Sequence, residues 1–199
     1  MRRLLIALGI AVWIGAAAFG YLKLVRYENA PGTPSSPLAQ WPSASAIRRT
    51  SRPTLVMVVH PLCSCSRASL EELALILARA PGFADVHVLF FRPAGFTEDW
   101  ARSDLWTAAS AIPGVQVQID DEAREAKFFH ATTSGSVLLY DRDGRLLFTG
   151  GITPSRAHMG DNAGRTAIVA LLTGARPEHT QSFVFGCSLL DARKDPREP

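Results

Sequence analysis

Two cysteines separated by one residue, Cys63 and Cys65, lie where an apolar run ends and a leucine-rich helical pattern begins. The N-terminus of a helix presents free backbone N–H groups and the positive end of the helix dipole, and both favour a thiolate over a thiol. Two thiols in this position are typical of disulfide exchange or of binding a soft metal ion. We therefore expect both sulfurs to be exposed and reactive, and the alternative is a pair of small buried apolar residues.

The one-residue spacing restricts how this pair can be bridged. In a regular helix, residues i and i+2 point about 200° apart, so their Cβ atoms diverge. A disulfide between Cys63 and Cys65 therefore requires Cys63 and Ser64 to lie in the loop or the helix cap, and its ring is small and strained. Strained disulfides have high reduction potentials and exchange readily, which favours an oxidant-like or isomerase-like role.

The third cysteine, Cys187, lies far along the chain, and its aromatic neighbours predict that this segment packs back on the domain. Two interpretations of Cys187 stay open. It is either a resolving thiol or third metal ligand beside Cys63 and Cys65, or an ordinary buried cysteine. Thiolates are soft ligands that suit copper(I) or zinc. His60 and His158 are the candidates to complete such a site, and a surface or core role is the alternative for each.

The elements that position these residues alternate along the chain. β-branched runs predict strands, and apolar residues at helical spacing predict helices. The predicted strands cover 54–59, 86–91, 115–119, 137–140 and 146–149, and the predicted helices cover 66–80, 98–110, 121–129 and 161–173. An Asp-Gly dipeptide between the last two strands predicts that they form a hairpin. Asp161 is expected to cap the last helix. Strands separated by helices imply parallel pairing, so we expect a mixed sheet covered by helices.

This order of elements, with a cysteine pair at the start of the helix after the first strand, resembles the thioredoxin-like fold over residues 53–174. The resemblance implies a three-layer α/β/α domain that exchanges thiols and disulfides. One of Cys63 and Cys65 then attacks a client disulfide and the other resolves the mixed disulfide, with Cys63 the better nucleophile candidate. The turn over 141–145 is similar to the D-x-D-G-x turn of membrane-anchored periplasmic thioredoxin-like proteins, and in particular of the group labelled RedB.

The sequence departs from this family at two positions. The family pattern is C-x-x-C, but here Ser66 occupies the place of the second cysteine. The family also has a cis-proline facing the dithiol, and this place falls on Gly135. In such folds that proline helps to position substrate backbone and is thought to keep metals away from the thiols, so glycine leaves more room.

The N-terminus predicts the compartment. Two arginines precede roughly 22 mostly apolar residues, 4–25, which is enough to span a bilayer core with the N-terminus in the cytoplasm. An uncleaved anchor is favoured because apolar residues continue past the alanine run at 16–18, and a cleaved signal peptide is the alternative. Either places the domain in a bacterial periplasm or an equivalent compartment. We predict a single-pass inner-membrane protein whose domain faces the periplasm.

The predicted organisation therefore has four parts. They are an anchor or signal peptide over 1–26, a Pro/Ser-rich linker over 27–46, the domain over 47–190, and a disordered tail over 191–199.

Composition and charge limit the partners. The net charge is only +3 and the basic residues are scattered, so the sequence shows no basic patch of the kind that binds nucleic acids. The expected partners are the membrane, through the N-terminal helix, and protein thiols or disulfides in the periplasm; family analogy adds maturing respiratory proteins. No cofactor is required for exchange. The alternatives are a copper(I) chaperone that uses Cys63, Cys65 and a histidine or Cys187, and a non-catalytic assembly factor with structural cysteines.

Overall fold

The computed structural model describes residues 2–189, which form two compact units that divide between Ala30 and Pro31. The first unit is the helix α1, Arg2–Glu28, in which no residue is buried. Its mean hydropathy reaches 2.1, and by length and composition it can cross a membrane. A membrane anchor and a signal sequence both pass this test. The predicted disordered tail over 191–199 lies outside the described residues.

The second unit is built on a five-stranded mixed sheet. Its strands are β1 Thr54–Val59, β2 Asp85–Arg92, β3 Val115–Asp121, β4 Val137–Tyr140 and β5 Leu146–Gly150. The sheet order is β3-β2-β1-β4-β5, with β1, β2 and β3 parallel and with β4 antiparallel to both β1 and β5. The helices are α2 Ser64–Arg79, α3 Glu98–Ala101, α4 Asp104–Ser110, α5 Arg124–Phe128 and α6 Ala163–Leu172. The predicted mixed sheet with its closing hairpin is confirmed.

The central strand β1 is buried on both faces, and this makes the domain three-layered. Leu55, Met57 and Val59 face a core that they share with α2, α4 and α6. Val56 and Val58 face a second core that includes α5. Because side chains alternate along a strand, a continuous apolar run such as β1 requires cover on both sides.

The predicted helix over 98–110 is wrong in one respect, because the chain breaks it into α3 and α4 at residues 102–103. Trp100 on α3 packs against the second core, whereas Leu105 on α4 is buried in the first. A single straight helix cannot present these side chains to opposite faces of the sheet. The extended backbone at Ser103 makes the change of direction.

Two helix starts also differ from the prediction. The helix expected over 121–129 begins at Arg124, because β3 extends to Asp121 and Ala123 has a positive φ of 55°. The buried Asp120 carboxylate accepts backbone N–H bonds from Glu125 and Ala126 instead. Helix α6 is capped by Asn162, whose side chain accepts from Arg165 N at 2.7 Å, and not by Asp161.

Residues 31–46, expected to form a linker, lie along the domain instead. Gly32 N donates to Val184 O at 2.8 Å. The Trp41 ring packs edge-on against Phe129 and Tyr140, with centroid distances of 4.9 and 5.1 Å. These residues therefore belong to the domain, because the indole covers aromatic side chains on one face of the sheet.

Residues 180–189, called the C-terminal strap below, follow α6 and pack back on the domain. The strap first lies beside β5, where Gln181 forms a parallel bridge with Thr149, and it then crosses the loop over 132–136, where Ser188 forms an antiparallel bridge with Thr133. Val184, Phe185 and Leu189 are buried. The prediction that this aromatic stretch packs on the domain is confirmed.

A buried ion pair ties α2 to α6. Arg165 binds the carboxylate of Glu72, and the side chains are 7% and 0% exposed. The other Glu72 oxygen accepts from Gly160 N at 2.8 Å, and Arg165 also binds the exposed Asp161 at 2.7 Å. A charge removed from water is tolerated only where its partners satisfy it, so this network fixes the position of α2 against the loop before α6.

We expect Glu72→Gln to lower the free energy of unfolding by about 3 kcal/mol, because it leaves a buried guanidinium with Asp161 as its remaining carboxylate. Chemical denaturation of the full-length protein in detergent, followed by tryptophan fluorescence, measures the loss. The control is Glu98→Gln, which breaks an exposed pair with Arg102 and is expected to cost about 0.3–0.5 kcal/mol. Equal losses in the two variants would contradict the structural role of the buried pair.

Candidate active site

Cys63 lies at the junction between β1 and α2. It is the N-cap residue of α2, with φ −92° and ψ 119°, and the helix begins at Ser64, two residues earlier than predicted. The preceding turn is held by Cys63 N, which donates to His60 O at 3.1 Å, and by Leu62 N, which donates to His60 Nδ1 at 3.2 Å. Cys63 is therefore in the helix cap and Cys65 is in the first turn. A Cys63–Cys65 bridge was expected to require both Cys63 and Ser64 in the loop or cap, and only Cys63 meets this condition because Ser64 is the first residue of the helix.

The expectation that both thiols of the pair are exposed is wrong. Cys63 is 2% and Cys65 is 4% exposed, whereas Cys187 is exposed. The C-terminal strap places Cys187 against Cys63, a contact that the spacing of the pair does not reveal.

The strap brings the third thiol to the first. The Sγ atoms of Cys63 and Cys187 are 2.9 Å apart, and all three cysteines are free thiols. Cys187 is therefore not an ordinary buried cysteine, and its role as a resolving thiol or metal ligand stays a prediction.

The three thiols together favour a thiolate at Cys63. Its pKa is lowered by hydrogen bonding to the Cys187 thiol and then to the Cys65 thiol, and these effects outweigh its burial. The pKa values of Cys65 and Cys187 are raised, first because each donates to Cys63 and then because each thiol is partly removed from water, and the nearby charge of Arg156 opposes this. The N-cap position adds the positive end of a 16-residue helix. These shifts favour one thiolate, at Cys63, with two thiols beside it.

The loop over 132–136 holds the strap by backbone hydrogen bonds. Ser134 N donates to Cys187 O at 2.8 Å, and Leu189 N donates to Thr132 O at 2.9 Å. Arg156 adds a bond from its Nη1 to Gly186 O at 2.8 Å. These bonds flank Cys187 on both sides, so they determine where its sulfur lies.

Glycine is required at two positions where the strap and the loop meet, at one by its backbone conformation and at the other by a close contact. Gly135, at the place of the family's cis-proline, has a φ of +87° and donates its N–H to Val58 O at 2.8 Å. The described residues contain no cis peptide bond. A Cβ atom on Gly186 would lie 1.8 Å from Ser134 O, which no side chain can occupy. Where the family has a cis-proline, this protein therefore has a glycine in a loop that contacts the backbone of its own C-terminal strap.

Buried hydroxyl groups lie behind the cysteines, and the sequence analysis did not assign them a role. The Oγ atoms of Ser66 and Ser134 are 2.7 Å apart. Ser134 Oγ also accepts from His60 N at 2.7 Å, and Ser69 Oγ donates to Cys65 O at 3.1 Å. These bonds fix the first turn of α2 against the loop. The only signal in the sequence is Ser66 itself, in the place of the family's second cysteine.

Cys63 also borders a groove that is open to solvent. The groove has a volume of about 400 Å³ and is lined by residues 61–64, Arg67, Asp104 and Leu105. Arg67 pairs with Asp104 at its rim, where both side chains are exposed. None of its lining residues comes from the strap. Solvent therefore reaches the neighbourhood of Cys63 from the side of α4.

The two candidate histidines lie in different surroundings. The His60 ring packs against Phe91 and Trp100, with centroid distances of 5.8 and 5.6 Å. His158 is exposed, and its Nδ1 lies 2.6 Å from Arg156 O. Over residues 2–189, no three or more His, Cys, Asp or Glu side chains form a group that could hold a metal ion. Copper(I) binding by the cysteines with either histidine stays a prediction.

We expect Cys187→Ala to raise the pKa of Cys63 towards that of an ordinary thiol, because it removes the donor with the largest lowering effect. Cys187→Ser is the matched control, since its hydroxyl group keeps a donor. The ¹³Cβ shift of labelled cysteine, followed against pH, measures the titration. At neutral pH the thiolate fraction should fall in the alanine variant and persist in the serine variant. Identical titration of Cys63 in wild type and both variants would contradict this assignment.

Comparisons with known proteins give similar solved structures but no matching family model. No protein-family model and no curated protein matches the chain. A hypothetical protein from Sinorhizobium meliloti is 21% identical, with a TM-score of 0.57 over 81% of this chain and 94% of that one. An uncharacterized conserved protein from Geobacillus kaustophilus is 19% identical, with a TM-score of 0.56 over 80% and 91%. The exposed lipoprotein thioredoxin of Streptococcus pneumoniae is 16% identical, with a TM-score of 0.46 over 62% and 85%.

The narrower resemblance to the RedB group stays a prediction, because none of these comparisons concerns that group. The general resemblance agrees with the architecture. A parallel β1-α2-β2 unit, an antiparallel closing hairpin, a final helix and a cysteine at the N-cap after β1 are all present. This chain has the thioredoxin-like fold.

Proposed function

We propose that this protein is a membrane-anchored thiol–disulfide oxidoreductase in which Cys63 is the nucleophile and Cys65 is its partner in the C-x-C pair. The observation that carries the proposal is the arrangement of free thiols at the start of α2, with a second sulfur 2.9 Å from Cys63. Donors that lower the pKa of Cys63 stabilise the thiolate that attacks a disulfide.

The groove beside Cys63 supports a protein disulfide as the substrate class. It is open to solvent, and an exposed ion pair lies at its rim. Small-molecule sites are usually enclosed and mostly apolar. An open groove that ends at a reactive sulfur suits a segment on the surface of another protein.

The N-terminal helix supports a location outside the cytoplasm. Its length and hydropathy suit a membrane span, and the two preceding arginines favour a cytoplasmic N-terminus. We assign the protein to the inner membrane with its domain in the periplasm, where disulfides persist. Its clients are then periplasmic or respiratory proteins during maturation.

A variant with Cys63 as its sole cysteine, Cys65→Ser with Cys187→Ser, tests the nucleophile. We expect the full-length variant in detergent to react with dithiobis(nitrobenzoate), releasing one thiolate and forming a stable mixed disulfide at Cys63, because no second thiol is present to resolve it. The control, Cys63→Ser with Cys187→Ser, retains Cys65 alone and should react about tenfold more slowly, since burial still raises the pKa of that thiol and Cys65 does not border the groove. Equal rates in the two variants would remove Cys63 from the mechanism.

The anchor has its own test. We expect the full-length protein to stay with the membrane fraction after alkaline carbonate extraction, because a span of this hydropathy partitions into lipid. A variant with Leu8→Arg and Ile14→Arg should be released, since each charge disfavours insertion. Mass analysis of the membrane-bound protein should find an intact N-terminus, and release of a wild-type form that lacks α1 would show a cleaved signal instead.

A further inference from the structure

We propose that Cys187 is the resolving thiol, an inference that rests on the proposed function. Cys187 attacks the mixed disulfide at Cys63 before Cys65 does, and Cys65 then releases Cys187 from its disulfide with Cys63. The C-terminal strap is in this account a catalytic element, because it delivers a reacting sulfur to the nucleophile.

Distance favours Cys187 over Cys65 for the first resolving step. A disulfide bond is about 2.05 Å long, and the Cys63 and Cys187 sulfurs are already 2.9 Å apart. A bridge from Cys63 to Cys65 joins an N-cap residue to the second residue of the helix, and the i, i+2 geometry there is unfavourable. The strap therefore offers the less strained partner.

The strap is fixed closely enough for this distance to matter. Backbone bonds hold it at Ser134 and Thr132, directly beside Cys187, and Arg156 holds Gly186 O. Val184 and Leu189 anchor it on both sides of the thiol, at 2% and 1% exposure. Holding two reacting groups in place replaces a bimolecular encounter by an intramolecular step, which increases its rate.

Client and resolving thiol also reach Cys63 from different neighbourhoods. Exchange proceeds through a line of attacking, central and leaving sulfurs. The groove is lined by the β1–α2 turn and α4, whereas the strap lies against the loop over 132–136. A client sulfur that leaves through the groove does not have to displace the strap.

The proposed exchange takes place in three steps. The Cys63 thiolate attacks a protein disulfide of the client, forming a mixed disulfide and releasing one client thiolate. The Cys187 thiol loses its proton to that thiolate and attacks Cys63 Sγ, which forms the Cys63–Cys187 disulfide and releases the second client sulfur as a thiolate that takes up a solvent proton. The client gains two electrons and the Cys63–Cys187 dithiol loses two. Cys65 then attacks Cys63, loses its proton to Cys187, and the disulfide moves to Cys63–Cys65.

Single-turnover release from dithiobis(nitrobenzoate) tests the order of the thiols in the reduced full-length protein. Wild type should release two equivalents of aromatic thiolate rapidly, and Cys65→Ser should do the same and stop with a Cys63–Cys187 disulfide. Cys187→Ser should release the first equivalent rapidly and the second on the order of tenfold more slowly, with the mixed disulfide on Cys63 identified by peptide mapping. A second release as fast as in wild type would overturn the proposal.

A positioning variant keeps all three thiols. Gly186→Ala places a methyl group against Ser134 O and should shift Cys187 away from Cys63, slowing the second release as Cys187→Ser does. Phe183→Ala is the control, because that side chain is on the same strap but 72% exposed, and it should leave both phases unchanged. Unchanged kinetics in Gly186→Ala would contradict the role of the strap.

These outcomes separate the two proposals. If the variant with Cys63 alone forms no mixed disulfide, the oxidoreductase itself is wrong. If that variant reacts but Cys187→Ser resolves as fast as wild type, only the role of Cys187 is wrong, and Cys65 resolves directly.

Discussion

The candidate active site depends on the backbone pairing between the C-terminal strap and the loop over 132–136. This pairing keeps the Cys187 sulfur 2.9 Å from the buried Cys63. A thiolate that is removed from water must be stabilised by donors in the protein, and the strap supplies the strongest of them. The same segment therefore shields the nucleophile and stabilises its charge.

The other elements support that contact. Helix α2 supplies its N-terminus, and the buried pair between Glu72 and Arg165 fixes α2 against the loop that carries Arg156. Gly186 lets two backbones approach where any larger residue would separate them, and Gly135 adopts a positive φ of 87° that favours glycine. Glycine in the place of the family's cis-proline is thus part of a wider change, in which the chain's own C-terminal segment lies against the loop.

The sequence predicted the sheet and the position of Cys63 well, because a continuous β-branched run followed by a helical pattern has few alternatives. It predicted the break between α3 and α4 poorly, since Trp100 and Leu105 share one helical pattern while packing on opposite faces. The burial of Cys63 was missed for a similar reason. The strap has neither strand nor helix periodicity, and its partners lie about 50 residues away at Thr132 and Ser134, so only the three-dimensional structure reveals the contact.

Disulfide mapping of the full-length protein, equilibrated over a series of glutathione redox buffers, tests the central claim that Cys63 is the thiol through which the others exchange. Every intramolecular disulfide is expected to contain Cys63. The Cys63–Cys187 and Cys63–Cys65 disulfides should interconvert as the reduction potential of the buffer changes. A Cys65–Cys187 disulfide, or a Cys63 thiol that stays unoxidised while Cys187 pairs between molecules, would contradict it. A Cys63–Cys187 bond that no glutathione buffer reduces would show a structural disulfide, and would contradict it equally.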